Sequence, residues 1–203
     1  NAKPRSILAS MRLMVANGAM ASLVLVLLLT QFATQAVQPV VALYVKDILG
    51  DRPDLATLSG VALSVTGLAG IIAVPLLSRA TERFGQKRII MFALVGAALM
   101  TAPQALSHSY LMFVAERFGL GLFIGSIVPI TNAMIGRLTL PEERGFTYGM
   151  TSSAYFLGNS MGPISGGTVA AYIGLPWVFV LTTILLLLGL AWVAVAVPGR
   201  SER

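Results

Sequence analysis

The stretch TLSGVALSVTGLAGIIAVPLLSRATERFGQKRIIMFALVGAALM, residues 57–100, sets the terms for the whole chain. Two apolar runs flank a short charged break that holds Arg79, Glu82, Arg83, Lys87 and Arg88. Each run approaches the roughly 20 residues an α-helix needs to cross a hydrocarbon core. Working outward, the same alternation places apolar spans at about 14–45, 57–79, 89–106, 110–138, 145–173 and 175–197. The breaks between them carry charges or turn formers, such as Asp51-Arg52-Pro53-Asp54, His108-Ser109 and Pro141-Glu142-Glu143-Arg144, except for the uncharged break at Gly174. The runs exceed the ~10 residues of a membrane β-strand. Backbone in lipid must satisfy its own hydrogen bonds, which a helix does. The expectation is an all-α integral membrane fold: one domain, residues 1–203, of six transmembrane helices, the fifth interrupted by Gly162-Pro163.

Composition agrees. The 203 residues are 56% hydrophobic and 11% charged, against about 25% charged in soluble domains. There are no cysteines, which excludes disulfides and thiolate chemistry. His108 is the one histidine, too little for a metal site. The net charge of +6 does not argue for nucleic acid, because the basic residues sit in short breaks rather than on one soluble face. A signal peptide is not expected, since apolar stretches recur throughout, and a chain beginning at Asn1 reads as a fragment.

Six helices put both ends and the second and fourth links on one side. That side collects Lys3, Arg5, Arg12, Arg79, Arg83, Lys87, Arg88, Arg137, Arg144, Arg200 and Arg203, eleven basic residues against Lys46 and Arg52 on the other. The positive-inside rule then places both termini in the cytoplasm.

Polar residues within the spans are the functional candidates. Glu116 and Arg117 stand inside an apolar run, where charge is costly unless it is paired or faces water. Two readings stand: an ion-coupling or conformational-switch pair, or an arginine snorkelling to the headgroups. Gln31, Gln35 and Gln38 share one face of the first helix, ahead of a bend at Pro39, and suit either a polar cavity or a helix seam. Tyr148, Ser152, Tyr155 and Asn159 line a face of the fifth, with Asn132 a comparable buried-polar candidate in the fourth. Ser152, Tyr155, Asn159 and Asn132 join Gln31, Gln35 and Gln38 as the expected substrate cavity. Gly158, Gly162 and Gly166 recur every four residues beside Pro163 and Gly167, and Gly121 and Gly125 repeat the spacing. Such small residues let helices approach closely. No Ser-His-acid set, carboxylate pair or phosphate-binding loop is present, so an enzyme is not expected.

Ser78 to Arg88, SRATERFGQKR, resembles the loop between the second and third helices of each half of major facilitator superfamily transporters, usually Gly-x-x-x-Asp-Arg-x-Gly-Arg-Lys/Arg. Ser78 stands for the first glycine, Glu82 for the aspartate and Gln86 for a basic residue, while Arg83, Gly85 and Lys87 fit. RFGLG from Arg117 resembles the family's fourth-helix arginine motif, and GNSMGPISGG from Gly158 resembles the Gly-x-x-x-Gly-Pro-x-x-Gly-Gly pattern of its drug/proton antiporters.

The resemblance implies one six-helix half of a bacterial inner-membrane multidrug/proton antiporter. The decayed loop and the preceding residues 1–12 favour the C-terminal half, whereas the Gly-Pro motif resembles the first half's fifth helix. It also implies Glu82, Arg83 and Lys87 as a latch on cytoplasmic helix ends, Arg117 in proton coupling, and the fifth-helix glycines as an interface. The implied partners are the missing half or a second copy, a small organic solute and membrane lipid. A proton gradient would serve in place of any cofactor. Nutrient or sugar transport and a non-transporting structural or receptor-like domain are the alternatives.

Overall fold

The computed structural model describes residues 18–197, and every described element is helical. The expected helix start at 14–17, the terminal basic residues Lys3, Arg5, Arg12, Arg200 and Arg203, and the break at Pro198-Gly199 lie outside the described residues. In order come α1 (Gly18–Leu49), α2 (Leu55–Phe84), α3 (Gln86–Thr101) with a 3-10 turn (Ala102–Leu106), α4 (Tyr110–Ile124), α5 (Ile127–Leu138), a 3-10 turn (Pro141–Glu143), α6 (Arg144–Tyr172) and α7 (Leu175–Ala196).

Among the described residues, five spans are long and apolar enough to cross a membrane by length and composition: Gly18–Leu49, Leu55–Phe84, Gln86–Leu106, Tyr110–Leu138 and Leu175–Ala196. α6 is not among them, although its 29 residues reach about 44 Å at 1.5 Å each. Its glycines, serines, threonines and tyrosines dilute its apolar character.

Several boundaries differ from the sequence reading. α2 runs on through Arg79–Phe84, so most of the charged break is helical. The turn falls at Gly85 alone, whose φ of +87° few side-chain-bearing residues tolerate. The fourth span breaks between α4 and α5 at Gly125-Ser126. Pro129 has no N–H for the carbonyl of residue 125, and its ring crowds that carbonyl. Pro103 falls in the 3-10 turn that ends the third span. Gly162-Pro163, by contrast, does not interrupt α6, which is continuous across it. The uncharged break at Gly174 is a true turn, with φ of +122°.

α1 packs most extensively on α6 and then α7, α2 on α4, and α3 on α7 and α4. Two apolar cores lie along the bundle. Leu23, Leu27, Ile90, Leu94, Ile135 and Leu186 fill one end. Val37, Val41, Tyr44, Phe113 and Phe179 fill the other. Outward faces carry exposed Ile71, Leu111, Phe156, Ile164 and Val195, an apolar exterior suited to lipid. In the α1–α2 link Arg52 Nη2 donates to Asp54 Oδ2 at 2.8 Å, and this bond holds the Asp54 carboxyl below its usual range.

The glycines define two seams. A Cβ on Gly158, Gly162 or Gly166 would lie 2.7, 2.8 and 1.8 Å from the carbonyl oxygens of Leu28, Phe32 and Ala36. On the other side, a Cβ on Gly121 would lie 2.2 Å from the Thr66 oxygen, and one on Gly125 would lie 2.6 Å from Gly70 Cα. Numbers rise together in each seam, so α1 runs parallel to α6 and α2 parallel to α4. Gly167, expected to pack with its neighbours, has nothing within 4 Å of an added Cβ. Gly166→Ala should therefore destabilise the folded protein by about 1–3 kcal/mol through overpacking, whereas Gly167→Ala should be neutral or mildly stabilising. Thermal unfolding in mild detergent checks this, and an equal drop for both would contradict the seam.

Candidate functional site

The fourth span positions the charged pair. Arg117 is 3% exposed and Glu116 8% exposed. Neighbours on a helix point about 100° apart, and among the described residues the two form no ion pair. Arg117 Nε donates instead to the Ala62 carbonyl of α2 at 3.2 Å, and one turn on Thr66 Oγ1 donates back to the Arg117 carbonyl at 3.2 Å. The guanidinium is thus turned into the α2–α4 seam, immediately before the Gly121 and Gly125 contacts, and does not snorkel outward. An arginine fits because its Nε–H is fixed in the plane of a rigid donor fork.

Glu116 faces the turn between α3 and α4. Ser107 Oγ donates to Glu116 Oε2, and the same oxygen lies 3.4 Å from the Pro103 carbonyl. The Tyr44 hydroxyl of α1 donates to the Ser107 carbonyl at 3.3 Å. Tyr110 OH donates to the Leu58 carbonyl at 2.9 Å. Glu116 Oε1 is buried without a partner among the described residues, as is Gln104 Oε1 in the same turn region. The rings of Tyr44, Phe113 and Phe179 pack edgewise or tilted beside this region, with centroids 4.9–5.9 Å apart.

The amide face of α1 lies partly in the α1–α6 seam. Gln31 Nε2 donates to Asn159 Oδ1 at 3.0 Å, and Gln35 Cβ is 2.7 Å from where a Gly162 Cβ would stand. Gln38 and Pro39 are exposed. On α6, Ser152 is exposed and Tyr155 partly buried, its ring edge-on to Phe156 at 5.6 Å. Asn132 Oδ1 on α5 is buried without a partner. Among the described residues no hydrogen bond joins Asn132, Ser152 or Tyr155 to the Gln31–Asn159 pair. Of the expected cavity residues, Gln31 and Asn159 are hydrogen-bonded across the α1–α6 seam and Gln35 packs against Gly162 in it.

At the α2–α3 turn, Thr81 Oγ1 donates to the Ser78 carbonyl at 2.6 Å. Arg83 sits over the Phe84 ring at 5.3 Å, and Glu82 is exposed. Lys87 Nζ donates to the Ala194 carbonyl at 2.9 Å. It thereby satisfies one of the open carbonyls at the end of α7. Sequence reasoning missed Ser107, Ala62 and Thr66. A serine in a short turn and a backbone carbonyl leave no periodic signal.

Comparison with known proteins gives a consistent picture. Residues 23–203 match the Major Facilitator Superfamily. The chain is 31% identical over 176 residues to the multidrug resistance protein MdtG of Erwinia billingiae, covering 87% of this chain and 43% of that protein. It is 31% identical to the MdtG of Proteus mirabilis over 86% of this chain and 44% of the relative. Against the uncharacterised MFS-type transporter YuxJ of Bacillus subtilis the identity is 32% over 168 residues, 82% of this chain and 42% of YuxJ. The chain thus spans less than half the length of these relatives.

The α1–α6 amide bond should show as coupling between its two partners. Gln31→Ala and Asn159→Ala, singly and together, should give an interaction energy of about 0.6 kcal/mol and no more than ~1.7. Strict additivity in detergent unfolding would show that the bond contributes nothing.

Proposed function

Because the chain belongs to the major facilitator superfamily, and is a multi-pass membrane protein, we propose that it is one half of a secondary active transporter. The half works with a second six-helix half, or with another copy, to export small apolar or amphipathic organic compounds in exchange for protons. The observation that carries the reading is Arg117. It is a charge buried in an apolar helix and bonded to the backbone of a neighbouring helix, so moving α4 against α2 must break or remake that bond. Proton and substrate need only bias the same two arrangements for one to drive the other. The names of the MdtG relatives support multidrug export.

In this reading the chain crosses the bilayer six times, α6 included, its glycine face and Asn159 turned to α1. Gln31, Gln35, Asn159 and Tyr155 lie beside the path between the halves, and Glu116 with Arg117 forms the coupling or switch element. The seam between parallel helices can rock because the backbones meet without side chains between them. The chain acts as a carrier and not an enzyme. The membrane is a bacterial inner membrane, with the Arg79–Arg88 turn in the cytoplasm, as the excess of basic residues there favours.

Two outcomes test this. In vesicles of the full-length protein, Arg117→Ala should abolish dye efflux driven by a pH gradient, and Arg117→Lys should recover only a small part. Full activity in the alanine variant would remove Arg117 from the switch. Orientation is checked in a cysteine-free background, to which these 203 residues contribute no cysteine. Cysteines placed at Arg83 and Arg52 should react with an impermeant thiol reagent from opposite sides, the first from the cytoplasm. Labelling from one side would overturn the topology.

A further inference from the structure

We propose that Glu116 is a reversible proton-binding site and that Ser107 is the residue that accommodates its two charge states. Ser107 Oγ lies within hydrogen-bonding reach of both Glu116 Oε2 and the Pro103 carbonyl, yet a hydroxyl has one proton to give. With Glu116 ionised, that proton goes to Oε2 and the Pro103 carbonyl loses this donor. With Glu116 protonated on Oε2, its O–H donates to Ser107 Oγ, and the serine proton turns to Pro103. One proton is bound, no heavy atom moves, and no covalent bond other than the new O–H forms.

The surroundings offer the carboxyl few partners. Glu116 is 8% exposed and Ser107 2% exposed, and among the described residues Oε1 has no donor. A carboxylate here would carry its charge on a single neutral hydrogen bond, whereas a neutral acid leaves only a carbonyl-type oxygen unpaired. The neighbouring elements supply little that could replace the proton. Residues 55–78 of α2, 89–106 around α3 and 175–197 of α7 hold no charged side chain. α1 contributes Tyr44, bonded to the Ser107 carbonyl, the exposed Asp47, and the exposed Lys46, which is paired with Asp51 at 2.7 Å. The turn contributes exposed His108, and α4 contributes Tyr110, bonded to Leu58, and Arg117, bonded to Ala62. The one buried cation near Glu116 in sequence is thus engaged on α2. His108 and Ser109, exposed in the same turn, leave solvent close by. The Tyr44 bond ties the serine backbone to α1 while its hydroxyl reorients, so the charge state of α4 is felt where α1, α3 and α4 meet.

The inference rests on the transporter reading for its purpose but not for its chemistry. The test is infrared difference spectroscopy on the full-length protein in lipid vesicles, following the protonated-carboxyl C=O band through a pH step. Glu116→Gln should remove one such band. Ser107→Ala should shift that band, and Ser107→Thr, which keeps the hydroxyl, should restore its position. A band set unchanged in Glu116→Gln overturns the proposal. A band unmoved in a Ser107→Ala protein that still melts cooperatively overturns it too. Proton-driven efflux is measured on the same vesicles. Loss of the band in Glu116→Gln while the unaltered protein exports no dye would support the proton site and sink the transporter reading alone.

Discussion

The structure depends on backbones that meet without side chains between them. Along α1, the carbonyls of Leu28, Phe32 and Ala36 stand against Gly158, Gly162 and Gly166 at successive turns. In lipid there is no hydrophobic drive to bring helices together, so close packing and polar contacts across the seam must do it. A Cβ at Gly166 would come 1.8 Å from the Ala36 oxygen, which no shift of a flexible side chain could relieve. The Gln31–Asn159 bond crosses the same interface, so both the packing and the polar satisfaction of α6 are obtained on α1.

The second seam follows the same spacing with different chemistry. Ala62, Thr66 and Gly70 on α2 face Arg117, Gly121 and Gly125 on α4, each four residues apart. The arginine occupies the first position of a register whose later positions are glycine. Its charge is thereby buried where the two backbones are already close, and its long side chain is held by a carbonyl of the opposing helix. Glu116, one residue earlier, points to the α3–α4 turn instead, so the helix separates the two side chains onto different partners. Neutral hydrogen bonds, not a mutual salt bridge, accommodate both.

Much of this was legible in the chain. The apolar runs marked five spans by length and composition, because burial in lipid imposes both on each segment separately, and the more polar α6 was found as a helix with ends at 144 and 172 against the expected 145 and 173. Four-residue spacing of Gly158, Gly162 and Gly166 marked a flat helix face. The break at Gly125-Ser126 was harder to see, since Pro129 lies four residues beyond the carbonyl it leaves without a donor. Gly162-Pro163, which looks like an interruption, lies within a continuous helix, so a proline in a long helix does not by itself report its end. Gly167 looked like part of the glycine face but stands about 100° round from Gly166, away from α1.

By itself the sequence determined that this is an all-helical membrane chain of the major facilitator superfamily, and which residues are too polar for lipid. Those properties follow from the local composition of each span and from motifs contiguous in the chain. Tertiary structure decided what each polar group meets: Arg117 the carbonyl of Ala62, Glu116 the hydroxyl of Ser107, and Gln31 the amide of Asn159. Helical periodicity fixes which residues share a face. It carries no information on which other helix that face will touch, and that is set only when the packed seams choose their register.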